Sequence, residues 1–478
     1  MKKTHVASAM MLALGAASVQ AQDLFQAPVQ MFTDLQTTGI AVGDINGDGL
    51  KDVVATSCGC GLSPNSNVYV YLQTASHTIS TTPVIYTIQN GADSVTIGDV
   101  TGDGRNDLVI RAGFGFTVVP QNADGTLAPG IVYPSGFADG ARTGDLNGDG
   151  RLDAIGLETG PDGHVNTEEA GVLYQNASGS FDPQVLVPLP HGFGDDIEVT
   201  DINGDGRADV VVANGFNEPP ITILYQTAAG TLSAPVQLAI APGVLASHVA
   251  VGDVDGDGRK DLVIGYAPYD PVAHLAIFHQ NADGSFAAPV ISDVASELTS
   301  LEVGDANHDG RTDILLLHRV TLGVVLQNAA GGRDAESLVA LPDNAGGHSK
   351  LGFTAADIDG DGAVDVAYTQ VGSQGAVTVL LGTPPVTNRP PVAVGDTVTV
   401  KCNDGIAIPV LANDSDPDGD TITVVSVTAP RHGTTKILPN GKVLYDPVKR
   451  YRGADRFLYV ISDGHGHFAQ TGVNVTVK

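Results

Sequence analysis

One nine-residue pattern, Asp-x-(Asn/Asp/Thr)-x-Asp-Gly-x-x-Asp, occurs seven times in this chain, starting at Asp44, Asp99, Asp145, Asp201, Asp253, Asp305 and Asp357. The start-to-start spacings are 55, 46, 56, 52, 52 and 52 residues. A period near 50 marks a repeat architecture, because one such unit cannot bury its apolar face alone and must stack on its copies.

Each repeat has the same internal grammar. An apolar strand precedes the motif, as in Gly39 to Gly43 or Leu301 to Gly304, and a β-branched strand follows its last Asp, as in Leu262-Val263-Ile264. A third strand, such as Ile221 to Tyr225 or Leu322 to Leu326, runs into a turn of the type Gln280-Asn281-Ala282-Asp283-Gly284. Glycine there supplies the positive φ that a bulged hairpin needs. A fourth strand is expected over Phe286 to Val290 and Leu232 to Val236, with its proline suited to an edge. Four short strands per repeat predict an all-β, seven-bladed β-propeller. Leu24 to Val29 carries the fourth-strand signature with no blade before it, and the last repeat ends at its third strand, Ala376 to Leu381. The N-terminal strand should therefore complete the last blade and close the ring.

The motif is also a set of hard-oxygen ligands. Its donors are Asp44, Asn46, Asp48, the Leu50 carbonyl and Asp52, then Asp99, Thr101, Asp103, the Arg105 carbonyl and Asp107. The third and fourth loops offer Asp145, Asn147, Asp149, Arg151 and Asp153, and Asp201, Asn203, Asp205, Arg207 and Asp209. The fifth and sixth offer Asp253, Asp255, Asp257, Arg259 and Asp261, and Asp305, Asn307, Asp309, Arg311 and Asp313. The seventh offers Asp357, Asp359, Asp361, Ala363 and Asp365. Calcium takes six to eight such oxygens, and glycine at the sixth position permits the sharp turn. An EF-hand begins alike but needs Glu at the twelfth position and flanking helices. Here that position holds Ala55, Ile110, Gly156, Val212, Ile264, Leu316 and Tyr368, all in strand-like sequence. Two carboxylates ~4 Å apart repel by about 1 kcal/mol in bulk water and about 4 kcal/mol at an effective dielectric near 20, so loops this acidic call for a cation. Loops five and seven, with Asp255 and Asp359 at the third position, should bind calcium most tightly, and loop two, with Thr101, least.

Composition agrees. The formal charge is −30, and 23 of the 54 acidic residues fall at motif positions. Such acidity argues against nucleic acid as a partner. Residues 1–21 read as a Sec-type signal peptide, with Lys2 and Lys3 ahead of an apolar run from Val6 to Val19 that is too short to span a membrane. The mature chain is expected to be secreted, periplasmic or at the cell surface. Cys58-Gly-Cys60 is compatible with a local disulfide, a soft-metal pair or free thiols, and Cys402 stands alone.

The nine residues from Asp44 to Asp52 and their six relatives resemble the calcium loops of FG-GAP (VCBS-type) repeats, the family that includes the propeller of integrin α-subunits. The resemblance covers about Leu24 to Leu381 and implies a propeller over residues 22–382 with calcium at each matching position. His308 at position 4 and Ala363 at position 7 depart from the pattern, as does Thr101. A proline-rich linker, 383–391, precedes a segment of strand-like runs, Thr421 to Val427, Lys442 to Tyr445, Phe457 to Ile461 and Val473 to Val477, with Asn440-Gly441 as a two-residue hairpin turn. Residues 392–478 resemble cadherin-like or Ig-like modules of bacterial surface adhesins, and Asp414, Asp416, Asp418 and Asp420 suggest one further calcium site there.

Fold does not give function. The resemblance favours a non-catalytic, calcium-binding adhesion or recognition protein that takes a glycan or protein ligand. A polysaccharide lyase or hydrolase is the enzymatic alternative, drawing on His164, Glu168, Glu169, His191, Asp195, Asp196 and Glu198; a structural envelope component is the third. The chain has no Trp, and Phe114, Phe116, Tyr266 and Tyr269 near predicted strand ends are the aromatic candidates for a sugar face.

Overall fold

The structure is a computed structural model. It describes residues 23–33, 36–57, 65–89, 91–112, 115–134, 137–159, 169–190, 194–215, 219–241, 243–266, 273–342, 348–370, 375–383, 390–417, 420–464 and 467–478. The expected signal peptide, Cys58, Cys60 and most of the linker lie outside them. No α-helix occurs among the described residues, and the chain divides into two compact units, 1–385 and 386–478.

In the first unit the described residues form seven four-stranded antiparallel sheets, one per motif. The first is Thr37–Gly43, Asp52–Ser57, Asn65–Tyr71 and Val84–Gln89, in chain order from inside to outside. The seventh takes its three inner strands, His348–Ala356, Asp365–Gln370 and Ala376–Leu380, from the end of the unit and its outer strand, Val29–Phe32, from the beginning. The innermost strands touch in a cycle, each against the next sheet's, with Thr37–Gly43 against His348–Ala356. The ring is closed, as the orphan N-terminal strand required.

Burial explains why these segments are strands. The second strand of each blade is packed on both faces by neighbouring blades, so Asp52–Ser57, Asp209–Asn214, Asp261–Tyr266 and Asp313–His318 are buried at every residue. Seven apolar clusters result, one between each pair of neighbours. Ile45, Val54 and Val68 of blade one meet Val95, Leu108 and Ile110 of blade two, and Met31, Val377 and Val379 of blade seven meet Ile40, Val53 and Tyr69 of blade one. The outermost strands have no such cover, and Val84, Ile131, Leu186 and Ile291 are exposed.

Two expectations shift in detail. The prolines at 28, 235 and 289 stand just before the outer strands, which begin at Val29, Val236 and Val290, while Leu232 and Phe286 only close the preceding hairpin by single bridges to Gln226 and Gln280. Proline fixes φ without donating, so it serves as an entry rather than as a ladder residue. In the second unit, Asn440-Gly441 belongs to a longer loop than a two-residue turn: Ile437 pairs with Val443, the Leu438 N–H donates to the Lys442 carbonyl, and Gly441 takes φ +76°.

The second unit is a sandwich of two sheets. One contains Asp396–Val400, Phe468–Val477, Gly453–Ser462 and Thr423–Val427; the other contains Ile406–Ile408, Val443–Pro447 and Gly433–Ile437. Ile408, Val443 and Tyr445 from the second sheet meet Phe457, Tyr459, Val473 and Val475 from the first in one core.

Candidate cation-loop site

Every motif lies between the innermost and second strands of its blade, and neighbouring loops touch. The third loop shows how the sequence folds locally. Asp145 Oδ1 accepts from Gly148 N–H at 2.6 Å and its Oδ2 from Gly150 N–H at 2.8 Å. Asn147 Oδ1 accepts from Asp149 N–H at 2.9 Å, and Asp149 Oδ1 from Arg151 N–H at 3.0 Å. The chain turns so tightly only because Gly148 and Gly150 adopt φ +79° and +82°. At the equivalent of Gly148, His308 adopts φ +59°, so the sixth loop makes the same turn with a side chain that disfavours it.

Arg at position 7 braces five loops. Arg151 Nη2 pairs with Asp149 Oδ2 and its Nε donates to the Gln175 carbonyl at 3.0 Å, and Arg105, Arg207, Arg259 and Arg311 repeat this. Leu50 and Ala363 cannot, and Ala363 is buried instead.

The last Asp of each motif is a clasp. Asp153 is fully buried; Oδ2 accepts from Leu146 N–H at 2.9 Å and Oδ1 from Gln175 N–H at 2.8 Å. Asp52, Asp107, Asp209, Asp261, Asp313 and Asp365 do the same, each joining its loop to the end of the third strand. Burial pushes Asp52, Asp153, Asp209, Asp313 and Asp365 up to about 6, against the pull of those amides. Burial also raises Asp107 and Asp261.

The donor set suits a hard cation. Carboxylate oxygens of Asp253, Asp255 and Asp257 lie within 4.8 Å of one another, as do those of Asp357, Asp359 and Asp361. These are the two loops with Asp at position 3. The clasp residues Asp261 and Asp365 are not part of those two clusters.

The glutamine that follows the third strand lies outside the motif, and its role emerges only here. Gln73 Nε2 donates to the Ile358 carbonyl at 2.7 Å, Gln226 Nε2 to the Asp145 carbonyl at 2.8 Å and Gln280 Nε2 to the Ile202 carbonyl at 2.8 Å. Each thus reaches the loop of the preceding blade. Position 8 adds Lys51 Nζ to the Asp357 carbonyl and Asn106 Nδ2 to the Asp44 carbonyl. Glutamine recurs at 73, 121, 175, 226, 280 and 327, so the signal was present as a period. The hairpin after it also touches the preceding loop: a Cβ on Gly125 would meet the Asn46 carbonyl at 2.4 Å.

Equivalent clefts open between adjacent loops. One of about 560 Å³ lies between Asp145 and Asn147 on one side and Arg207, Gln226 and Gly230 on the other. Its counterparts, of about 280 and 430 Å³, set Asp44 and Asn46 against Arg105 and Gln121, and Asp99 and Thr101 against Arg151 and Gln175.

The enzymatic candidates separate. His164, Glu168 and His191 lie outside the described residues, as does the side chain of Asp195, and Glu169 is half-buried at the start of a third strand. Asp196 and Glu198 instead line a cavity of about 230 Å³ among the innermost strands, with Arg142 and Glu302. Arg142 Nη2 is 3.5 Å from Asp196 Oδ1 and its Nε 3.7 Å from Glu198 Oε2. Burial, helped by the Glu198 charge, pushes Glu302 up to about 8. Arg142, Glu198 and Glu302 each stand three residues before a motif's first Asp, so the repeat register places them at one level. Of the aromatics, Phe114 and Tyr269 lie outside the described residues, while Phe116 and Tyr266 are buried in strands. Phe116 and Tyr266 therefore offer no sugar-facing platform.

In the second unit, Asp414 turns inward. Its Oδ1 accepts from Val394 N–H at 2.7 Å, and the Tyr459 hydroxyl donates to its Oδ2 at 3.0 Å. Asp416 Oδ1 accepts from Asp420 N–H at 3.3 Å, and Asp418 lies outside the described residues. Among the described residues no cation cluster forms there. Cys402 is a half-buried free thiol.

The closed ring of four-stranded sheets, each with its acidic loop, is a β-propeller. The family model described as FG-GAP-like repeat matches residues 44–110 and 201–264, and the FG-GAP repeat model matches 245–285. The chain carries these repeats followed by a bacterial Ig domain, matched over residues 388–476. A stretch of 131 residues, 25% of this chain, is 29% identical to integrin alpha-7 of Rattus norvegicus, and spans 12% of that protein. Among solved structures, the chain is similar to the BP39L lectin from Burkholderia pseudomallei, with TM-score 0.54, 14% identity and coverage of 73% of this chain and 99% of that one. It also matches a lectin from Agrocybe aegerita, with TM-score 0.47, 16% identity and coverage of 68% and 92%. At 14% identity the likeness to the Burkholderia pseudomallei lectin concerns the fold alone. No helix among the described residues is long and apolar enough to cross a membrane.

Proposed function

We propose that this chain is an exported, calcium-stabilised recognition and adhesion protein that binds a glycan or protein ligand and performs no chemistry on it. The observation that carries the reading is the row of equivalent clefts between neighbouring acidic loops on a closed, rigid ring. Each cleft offers a carboxylate with an amide or hydroxyl oxygen on one wall and a guanidinium with an amide on the other. Hydroxyl-rich or polar peptide ligands are recognised by such convergent polar groups, and repetition around a ring multiplies weak contacts.

Calcium belongs to the same reading. Up to seven ions would be held by motif positions 1, 3 and 5 with the position 7 carbonyl, while the position 9 carboxylate would anchor the loop through its backbone amides. The ions would supply positive charge that lets neighbouring loops pack. Arg207 and its equivalents, held in place by the Asp and Gln carbonyl they brace, would present their remaining N–H groups to a ligand.

The test is retention of the purified, calcium-loaded chain on a glycan array and on extracellular-matrix proteins, with Arg207→Ala as the cleft variant. Binding that falls severalfold in the variant supports the reading. A folded, calcium-loaded chain that binds nothing on either panel overturns it. The carboxylates of the cavity among the innermost strands favour the second reading, a polysaccharide lyase or hydrolase, because Glu302 holds a proton near neutral pH while Asp196 is paired with Arg142. Turnover of a retained polysaccharide that is lost in Glu302→Gln would replace recognition with catalysis.

A further inference from the structure

The fifth loop differs from the other six in one side chain outside the motif. The residue just before the third-strand glutamine is Leu72, Pro120, Tyr174, Tyr225 and Leu326 in five blades, and Leu381 occupies the same place in the seventh. In the fifth it is His279. The His279 Nδ1 lies 3.1 Å from Asp255 Oδ2 and 3.2 Å from Asp261 Oδ2, and all three ligand atoms fall within 4.8 Å of one another. The Asp261 side chain is fully buried, and those of His279 and Asp255 are each 23% exposed.

We propose that the fifth loop holds a second metal position, made by His279, Asp255 and Asp261 and selective for a divalent transition ion of the zinc class, beside the all-oxygen position of Asp253, Asp255 and Asp257. Three arguments support it. Imidazole is a ligand for zinc and its neighbours in the transition series, whereas calcium takes oxygen. A tetrahedral ion with nitrogen and oxygen ligands at ~2.0–2.1 Å sets those ligand atoms about 3.3 Å apart, close to the two spacings observed. A single Nδ1–H can aim at one carboxylate, and both contacts are longer than the ~2.7–2.9 Å of a charge-assisted hydrogen bond. Asp255 is shared by both clusters, so the two ions would be bridged by one carboxylate. Three protein ligands leave a fourth position for water or for a ligand's own donor.

Beside the neighbouring carboxylates Asp253 and Asp257, Arg333 also acts on this pair. It occupies the hairpin position held by Ile79, Leu127, Phe181, Leu232 and Phe286 in other blades, and interacts electrostatically with Asp261 and Asp255. One guanidinium against two carboxylates leaves a net negative charge at the pair, which favours a bound cation.

The experiment uses the full chain in saturating calcium, titrated with Co²⁺ as a visible-light probe and with Zn²⁺ followed by a competing chromophoric chelator. His279→Leu is the variant, because Leu72 and Leu326 show that the repeat accepts leucine there. The proposal expects one fewer equivalent of Zn²⁺ in the variant, loss of the tetrahedral Co²⁺ absorption, and an unchanged calcium count. Equal Zn²⁺ counts in both chains overturn it, as does full displacement of Co²⁺ by calcium. Loss of calcium binding by all loops would instead overturn the calcium reading, so the two failures are distinguishable.

Discussion

The ring and the sandwich both bury aspartates, and they neutralise them in different ways. In the sandwich Asp455 accepts from the Arg431 and His432 amides at 3.1 and 2.9 Å and from the buried Tyr445 hydroxyl at 2.9 Å. With the Arg456 amide at 3.0 Å, four donors satisfy one carboxylate, and the surrounding core is continuous and apolar. In the ring each clasp aspartate takes two or three donors, mostly backbone amides, and stands close in sequence to the other carboxylates of its motif. The ring core is divided into seven interfaces, and each is sealed at one end by an acidic loop that contacts its neighbour. A buried carboxylate can therefore be a self-contained strut or half of an unfinished cation site. Which it becomes depends on how many other carboxylates the turn brings beside it.

Chelation should separate the two units most. If the loops hold calcium, removing it costs the ring about 2.7 kcal/mol per site that had been held at a hundredfold excess over Kd. Hydrogen exchange read by mass spectrometry on the full chain should show second strands of the ring opening, with Gly453–Ser462 protected as before. Equal loss in both units would break the contrast.

The pH response sharpens it. Without calcium, the folded ring keeps protons on Asp52, Asp153, Asp209, Asp313 and Asp365 up to about 6, whereas an unfolded chain releases them near ~3.9. The fold binds more protons in this window, so chelated stability falls as pH rises from about 4 to about 6, by about 1–2 kcal/mol for each group after solvent screening is allowed for. Bound calcium holds the carboxylates ionised and reverses the slope. Denaturant melts at pH 4.5 and 6.5, with calcium and with chelator, check both signs.

Removing one strut from each unit compares them directly. Asp209→Ala strands the buried Ile202 and Gln226 amides and should cost the ring about 2–5 kcal/mol. Tyr459→Phe removes the hydroxyl that bonds Asp414 and the Val410 carbonyl, and should cost the sandwich about 1–2 kcal/mol with no change in calcium dependence. The smallest effect is expected from His308→Gly. It relieves a left-handed backbone at φ +59° and should stabilise the sixth blade by about 1 kcal/mol or less, after the entropy of the added glycine is subtracted. Urea midpoints resolve all three.

Much of the fold was legible from the repeat itself. Period, strand count and the orphan segment at Leu24 led to a ring closed by its own N-terminal strand, because those depend only on local pattern and on the need of every blade to be covered twice. The acidic loops were legible for the same reason, since Asx-type turns and left-handed glycines act within nine residues. The glutamine ties were present as a periodic residue but their target was not, because it sits on the preceding blade. The outer-strand prolines prove to be entries rather than ladder residues, since sequence cannot tell a strand's entry from its first paired residue.

What the sequence alone determined, then, is whatever repeats within one blade: the turn, the carboxylate set, the strand order and the closure. Only the tertiary structure decided what arises between elements far apart in the chain. It carried Asp196, Glu198 and Glu302 into one cavity with Arg142, buried Tyr266 and Phe116 instead of presenting them, and turned Asp414 onto Tyr459. It also brought His279 against Asp255 and Asp261. The physical reason is range. Backbone turns and side-chain periodicity act over a few residues, whereas contacts among blades depend on the angle at which finished sheets meet.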